Sequence, residues 1–221
     1  MKFGRNYYTL LASLPHLPVH FDVERPPISR SDLTRRLEML GEDDRHVIRQ
    51  LTQFFVWDRQ PLERTDDEVC QTYLNLNRDI RNSLALKLMD HRIDMRTIVA
   101  AIRRKRSGSD PPTGVRKLTD EIRRNWNQPG FSLIARYPWI EPFSQAFDQG
   151  HPRQAQRVLF QDLWTTWKRL ADMRFFCFES VILYLARWEI LDRWTSQNHS
   201  EGERRFHALL TETMGKYANI Y

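Results

Sequence analysis

The sequence predicts an all-α protein, a helical bundle of about eight to nine helices. Three observations carry that expectation. Apolar residues recur at the helical period of 3.6 through most of the chain. No strand-like alternation survives beyond the first 25 residues, where only Tyr7–Leu11 is ambiguous. No short fixed period repeats, which sets solenoids and propellers aside.

The elements follow in order. After the Pro26-Pro27 turn, Ser31 can cap a short helix with Leu33, Leu37 and Leu40 on one stripe, ended near Gly41. A second helix from about Asp43 buries Val47, Ile48, Leu51, Phe54 and Phe55 and closes before Pro61. The third starts at Asp66 or Asp67, acids that suit a helix N-terminus, and carries Val69, Tyr73, Leu76, Ile80, Leu84 and Leu88 on one face. A fourth runs from Ile93 to Arg106 with Met95, Ile98, Val99 and Ile102 turned inward. The Gly- and Pro-punctuated stretch at 107–114 then breaks the pattern, so the chain reads as one domain, 1–221, with a candidate sub-domain hinge there. A helix near Val115–Trp126 leads into a passage of short turns between Pro129, Pro138 and Pro142. From Pro152 a long helix carries Val158, Leu159, Leu163, Trp167 and Leu170; the next, Phe175–Trp194, is apolar on nearly all sides and should be central. A last helix opens on the capping box Ser200–Glu203 and buries Phe206, Leu209, Leu210 and Met214.

Composition narrows the function classes. The chain has 221 residues, 41% hydrophobic and 12% aromatic, with a net charge of +6. That excludes disorder and low-complexity sequence and allows a substantial core. Two cysteines, Cys70 and Cys177, support neither a disulfide scaffold nor a cysteine-based zinc cluster. The N-terminus lacks a signal-peptide core, and Phe175–Leu191, the most apolar run, carries Glu179, Arg187 and Glu189. A cytoplasmic location is therefore expected.

Motifs for catalysis do not emerge. No His-Glu-x-x-His pair, Gly-rich phosphate cradle or nucleophile elbow occurs, and Pro18 breaks the His16–His20 spacing that a helical metal site would need. Cys177 reads as a core thiol, and the acid pairs Asp43-Asp44 and Asp66-Asp67 as helix caps. The tryptophans Trp164, Trp167, Trp188 and Trp194 fit packing between neighbouring helices, and only Trp126 lies beside basic residues. No enzyme, cofactor, metal or small-molecule substrate is expected.

Charge is more informative by place than by size. Arg92, Arg96, Arg103, Arg104, Lys105, Arg106, Arg116, Lys117, Arg123 and Arg124 face four acids in the same stretch, a balance equal to the +6 of the whole chain. A concentrated positive surface points to an acidic partner face, anionic lipid or nucleic acid. The plain alternative is that these side chains are solvated or paired locally. Glu179, set among phenylalanines, reads as a structural buried carboxylate that requires a partner, with an arginine of the 92–106 helix as the candidate.

Three segments resemble a known family. Arg92–Lys105, with its Asp94, Thr97 and terminal Arg103-Arg104-Lys105, resembles a helix of the C-type (eukaryotic d-type) subunit of V/A-type rotary ATPases. Phe178–Leu191 is similar to a second helix of that subunit. The opening Tyr7-Tyr8 and Ala12-Ser13-Leu14-Pro15 resemble the start of a short bacterial family regarded as its equivalent. The resemblance implies a non-catalytic, all-helical socket of the central stalk that seats the rotor shaft on the membrane proteolipid ring. It would lie at the inner membrane, with membrane contact only through partner subunits, and take part in proton or other ion transport. The family's usual subunit is longer than 221 residues, so a shortened socket is implied. The alternative is a helical nucleic-acid-binding or regulatory protein using residues 92–124, whose affinity would fall steeply with salt.

Overall fold

The apolar stripes fold as helices and little else. The computed structural model describes residues 7–55 and 65–196; the close of the second expected helix before Pro61 and the whole last one fall outside these. Among the described residues there are nine α-helices and no strand. They are α1 (Tyr8–Ser13), α2 (Arg30–Leu37), α3 (Glu42–Phe55), α4 (Asp66–Asp79), α5 (Ser83–Arg106), α6 (Lys117–Arg124), α7 (Ile140–Asp148), α8 (Pro152–Ala171) and α9 (Phe178–Ser196). The ambiguous Tyr7–Leu11 stretch is the helix α1.

Helices α2, α4 and α5 start on side-chain caps, with shifts from the sequence reading. Ser29, not Ser31, caps α2 by accepting from the Asp32 amide at 3.1 Å. Thr65 and Glu68 form a reciprocal capping box on α4. The long face from Val69 to Leu88 is two helices rather than one. Ile80 turns extended, and Asn82 begins α5 by accepting from the Leu84 and Ala85 amides at 3.1 and 3.0 Å. So α5 starts at Ser83 rather than Ile93 and runs unbroken to Arg106.

One core joins all nine helices. Its centre is α5, packed on α3, α6 and α9, together with α8, packed on α7 and α9. Met89, Ile98 and Ala101 of α5 and Val181, Leu183 and Leu191 of α9 have no exposed surface. α9 is central as expected, but it starts at Phe178. Phe175 and Phe176 are exposed, because Phe176 sits at φ +54, a left-handed conformation that no helix continues through. Cys177 is thus half-buried just before the helix, with its Sγ 3.4 Å from Ser180 Oγ.

The N-terminal strap between α1 and α2 is held by indole and phenol groups. Trp164 Nε1 donates to the Val19 carbonyl at 3.0 Å, Trp188 Nε1 to Ile28 at 3.0 Å and Trp194 Nε1 to Asp22 Oδ1 at 2.9 Å. Tyr184 donates to the Pro15 carbonyl at 2.9 Å. Phe21, 1% exposed, meets Phe160 and Trp194 edge to face. Just before α1, the Tyr7 hydroxyl donates to Asp44 and accepts from the Gly41 amide at 3.2 Å. The candidate hinge also packs: Pro112 is buried, and a Cβ on Gly114 would lie 2.3 Å from Thr119 Oγ1.

A candidate partner-binding groove

Most of the expected basic surface is stitching. Arg92 falls on the stripe of Leu88 and Met95, so it is buried, lying over the Phe55 ring at 5.8 Å with Nη2 donating to the Phe55 carbonyl. Arg96 and Arg104 converge on Asp66 at 3.0 and 2.7 Å, tying α4 to α5. Lys105 donates to the Trp126 carbonyl at 2.7 Å and lies over the Phe131 ring. Arg106 pairs with Asp148 at 2.5 Å and donates to the Phe147 carbonyl, joining α5 to α7. Local pairing therefore claims these residues. Asp66, read from sequence as a cap, is a bridge between two guanidiniums.

Arg116 makes the densest network. It meets Asp94 at 2.6 Å, Asp90 at 2.7 Å and the Tyr73 hydroxyl at 2.8 Å. Burial alone would pull its pKa down, but Asp94, Tyr73 and Asp90 together hold it above the ordinary arginine value. Burial, helped by Asp90, pushes the Tyr73 phenol up; burial and Asp94 do the same to Tyr137. Both carboxylates serve one cation, so the cluster is a staple between α5 and α6 rather than an acid–base pair.

Four exposed cations make no side-chain hydrogen bond or ion pair among the described residues. Arg103 rests 5.9 Å from the Phe147 ring centre, while Lys117, Arg123 and Arg124 of α6 form no ion pair among the described residues. The ten residues thus do not make one face.

Arg103 does line a groove of about 660 Å³ between α5, α7 and α8. Met95, Val99, Phe143, Leu159 and Phe160 give it apolar walls. Arg92, Arg96, Arg103, Arg104 and Arg193 supply five guanidiniums, and no acid is among its lining residues. Arg96 and Arg104 share the single carboxylate of Asp66, and Arg103 adds a charge with no ion pair among the described residues. Arrangements of this kind hold an anionic group while apolar walls take the body that carries it. Arg193 and the α7 phenylalanines were missed from sequence because they lie far along the chain. The α7 aromatics at 143 and 147, four apart, were the available signal.

Glu179 does not meet an α5 arginine. Half-buried at the start of α9, it accepts from Asn82 Nδ2 at 2.8 Å. Burial pushes its carboxyl up, but its own backbone amide, Asn82, Cys177 and the nearby Arg174 outweigh this and leave it below the usual range. The same Asn82 caps α5, so Glu179 fixes the amide whose oxygen starts the neighbouring helix.

No group of three metal-ligating side chains gathers among the described residues. His91 and Asp162 pair at 3.0 Å between α5 and α8, with no nucleophile hydrogen-bonded to the ring. Among the described residues no helix is long and apolar enough to cross a membrane. No family model, curated protein or solved structure matches the chain.

Proposed function

We propose that this chain is a non-catalytic central-stalk subunit of a bacterial V/A-type rotary ATPase, a shortened C-type socket that couples the rotor shaft to the membrane proteolipid ring. The observation that carries the reading is the groove, where five arginines and no acid frame apolar walls. An acidic, amphipathic helix end of a shaft subunit has the complementary chemistry. Its apolar side would supply affinity, and its carboxylates register and encounter rate. The resemblance adds support, since both matching helical segments fall on α5 and α9, which pack together. A socket must also transmit torque without yielding, and the cross-links Arg104–Asp66, Arg106–Asp148 and Arg116–Asp94 brace α5 against three neighbours.

Co-purification from a host expressing the ATPase subunits tests this. The wild-type chain should carry shaft and ring subunits with it. Arg103→Glu reverses a groove charge that has no ion-pair partner among the described residues, so it should weaken that recovery by about tenfold or more with melting unchanged. Arg104 and Arg106 are poorer choices, because reversing them breaks bridges to Asp66 and Asp148. A wild-type chain that brings down no rotor subunit, or an Arg103→Glu chain that assembles normally, would overturn the proposal. Salt-sensitive binding to duplex DNA in place of rotor subunits would replace it with a nucleic-acid role.

A further inference from the structure

The turn between α8 and α9 keeps apolar side chains in water. Met173 is 76% exposed, Phe175 75% and Phe176 42%, and Tyr8 of α1, 57% exposed, brings its ring to 4.8 Å from that of Phe176. Together they form one patch at one end of the bundle. Single exposed apolar residues are ordinary; a contiguous aromatic patch marks an interaction site.

This patch is held rigidly at a cost. Phe176 occupies φ +54, a conformation bulky side chains avoid. Its carbonyl is pinned by the Tyr7 amide at 2.7 Å, a bond across nearly the whole described chain. The turn is tightened further where the Arg174 amide donates to the Ala171 carbonyl at 3.0 Å and Arg174 Nη1 to the Leu170 carbonyl at 2.9 Å. Strain maintained by distant contacts is retained where a fixed presentation matters.

Charge selects the partner. Lys168 and Arg169 end α8 and Arg174 lies in the turn. Against them stand Asp172, which is exposed, and Glu179, which is half-buried and engaged by Asn82. The outward balance is cationic. Aromatic and methionine side chains flanked by arginine and lysine suit the headgroup layer of an anionic bilayer, where rings bury and cations meet lipid phosphates. We propose that residues 173–176 with Tyr8 form a membrane-contact knuckle that inserts Met173 and Phe175 into the interface of an anionic membrane. This is direct lipid contact, beyond the partner-mediated attachment of the proposed rotor role, and independent of it.

Flotation of the purified chain with vesicles tests the knuckle. The wild type should float with phosphatidylcholine vesicles containing phosphatidylglycerol, less with phosphatidylcholine alone, and less at high salt. Met173→Ser with Phe175→Ser should cut that partitioning by about tenfold or more, since each buried side chain contributes at least that factor. Phe176→Gly removes a ring and relieves the positive φ, so binding should fall while melting temperature stays level or rises. A structural role alone would not separate those two readouts. A wild-type chain that ignores anionic vesicles, or a double variant that floats as well as wild type, overturns the proposal. So does a double variant whose defect is lost capture of rotor subunits in lipid-free buffer, since the patch would then be a protein contact. A wild-type chain that floats with anionic vesicles but recovers no rotor subunit counts against the rotor reading and leaves the knuckle standing.

Discussion

Replacing Arg116 with methionine should destabilise the protein more than any single change at the exposed cations. Methionine keeps the apolar stem but removes the charge that two carboxylates share. Exposure grades the loss: Asp94 is 14% exposed, Arg116 28% and Asp90 37%. Stranding a fully buried charge costs about 3–5 kcal/mol, whereas a surface pair contributes about 0.2–1 kcal/mol. The Asp94 pair lies between these limits and the Asp90 pair near the lower one. With the Tyr73 hydrogen bond at about 0.5–1.5 kcal/mol, the total comes to about 3 kcal/mol. For a chain of this size each kcal/mol moves the melting temperature by about 2–4 °C, so a fall of about 6–12 °C is expected.

A double-mutant cycle isolates the pair. Asp94→Asn in the Arg116→Met background removes the stranded charge, so the two changes together should cost less than their sum by about 1–2 kcal/mol. Arg116→Lys should recover only part of the loss, because one ammonium cannot present the guanidinium's fork to Asp94, Asp90 and Tyr73 together. Chemical denaturation and calorimetry read both effects. If Arg116→Met melts within a degree or two of wild type, or the cycle is additive, the staple between α5 and α6 is not what its distances imply.

Two further outcomes follow from other contacts. Asn82→Ser keeps a cap on α5 but loses the Glu179 bond, so a cost of about 1 kcal/mol is expected; Asn82→Asp keeps the cap yet sets two carboxylates together and should cost more, with the difference shrinking when Glu179→Gln is added. Equal denaturation midpoints for the two variants would refute the shared role of Asn82. Burial pushes the Tyr184 phenol up to about 12 from its usual 10, so the folded state favours the neutral form. Its stabilising contribution is complete below about pH 10 and lost as pH rises from there towards 12. Tyr184→Phe should therefore flatten the alkaline limb of stability against pH, and an unchanged limb would count against the buried phenol.

Helix existence was legible because burial imposes a period on sequence, and that period survives in α3 and α8, while α9 was legible as a long apolar run. Boundaries were less so where two helices share one stripe. Val69 to Leu88 keeps its phase across the break at Ile80, so apolar spacing alone could not reveal it. The signal lay instead in Asn82, a capping residue at the start of the next helix. Phe175 and Phe176 misled for the opposite reason: they look like core, and only the backbone at Phe176 directs them to solvent.

The charge shows most sharply what a linear reading can reach. Counting put the whole net +6 between Arg92 and Arg124, and that count is correct as arithmetic. Its meaning depends on partners outside the interval, since Asp66 is 30 residues from Arg96 and 38 from Arg104, and Asp148 is supplied by α7. Pairing across such separations consumes most of the apparent patch as internal bracing. What remains is smaller: Lys117, Arg123 and Arg124 on α6, and Arg103 beside a groove whose other cations come from α5 and, through Arg193, from α9. A partner reading the groove would therefore sense the packing of α5 against α8 and α9 as much as the charge itself. An interface built this way is only as rigid as the bridges beneath it. Under the proposed rotor role, weakening Arg104–Asp66 should therefore lower co-purification of shaft subunits even though Asp66 lines no part of the groove.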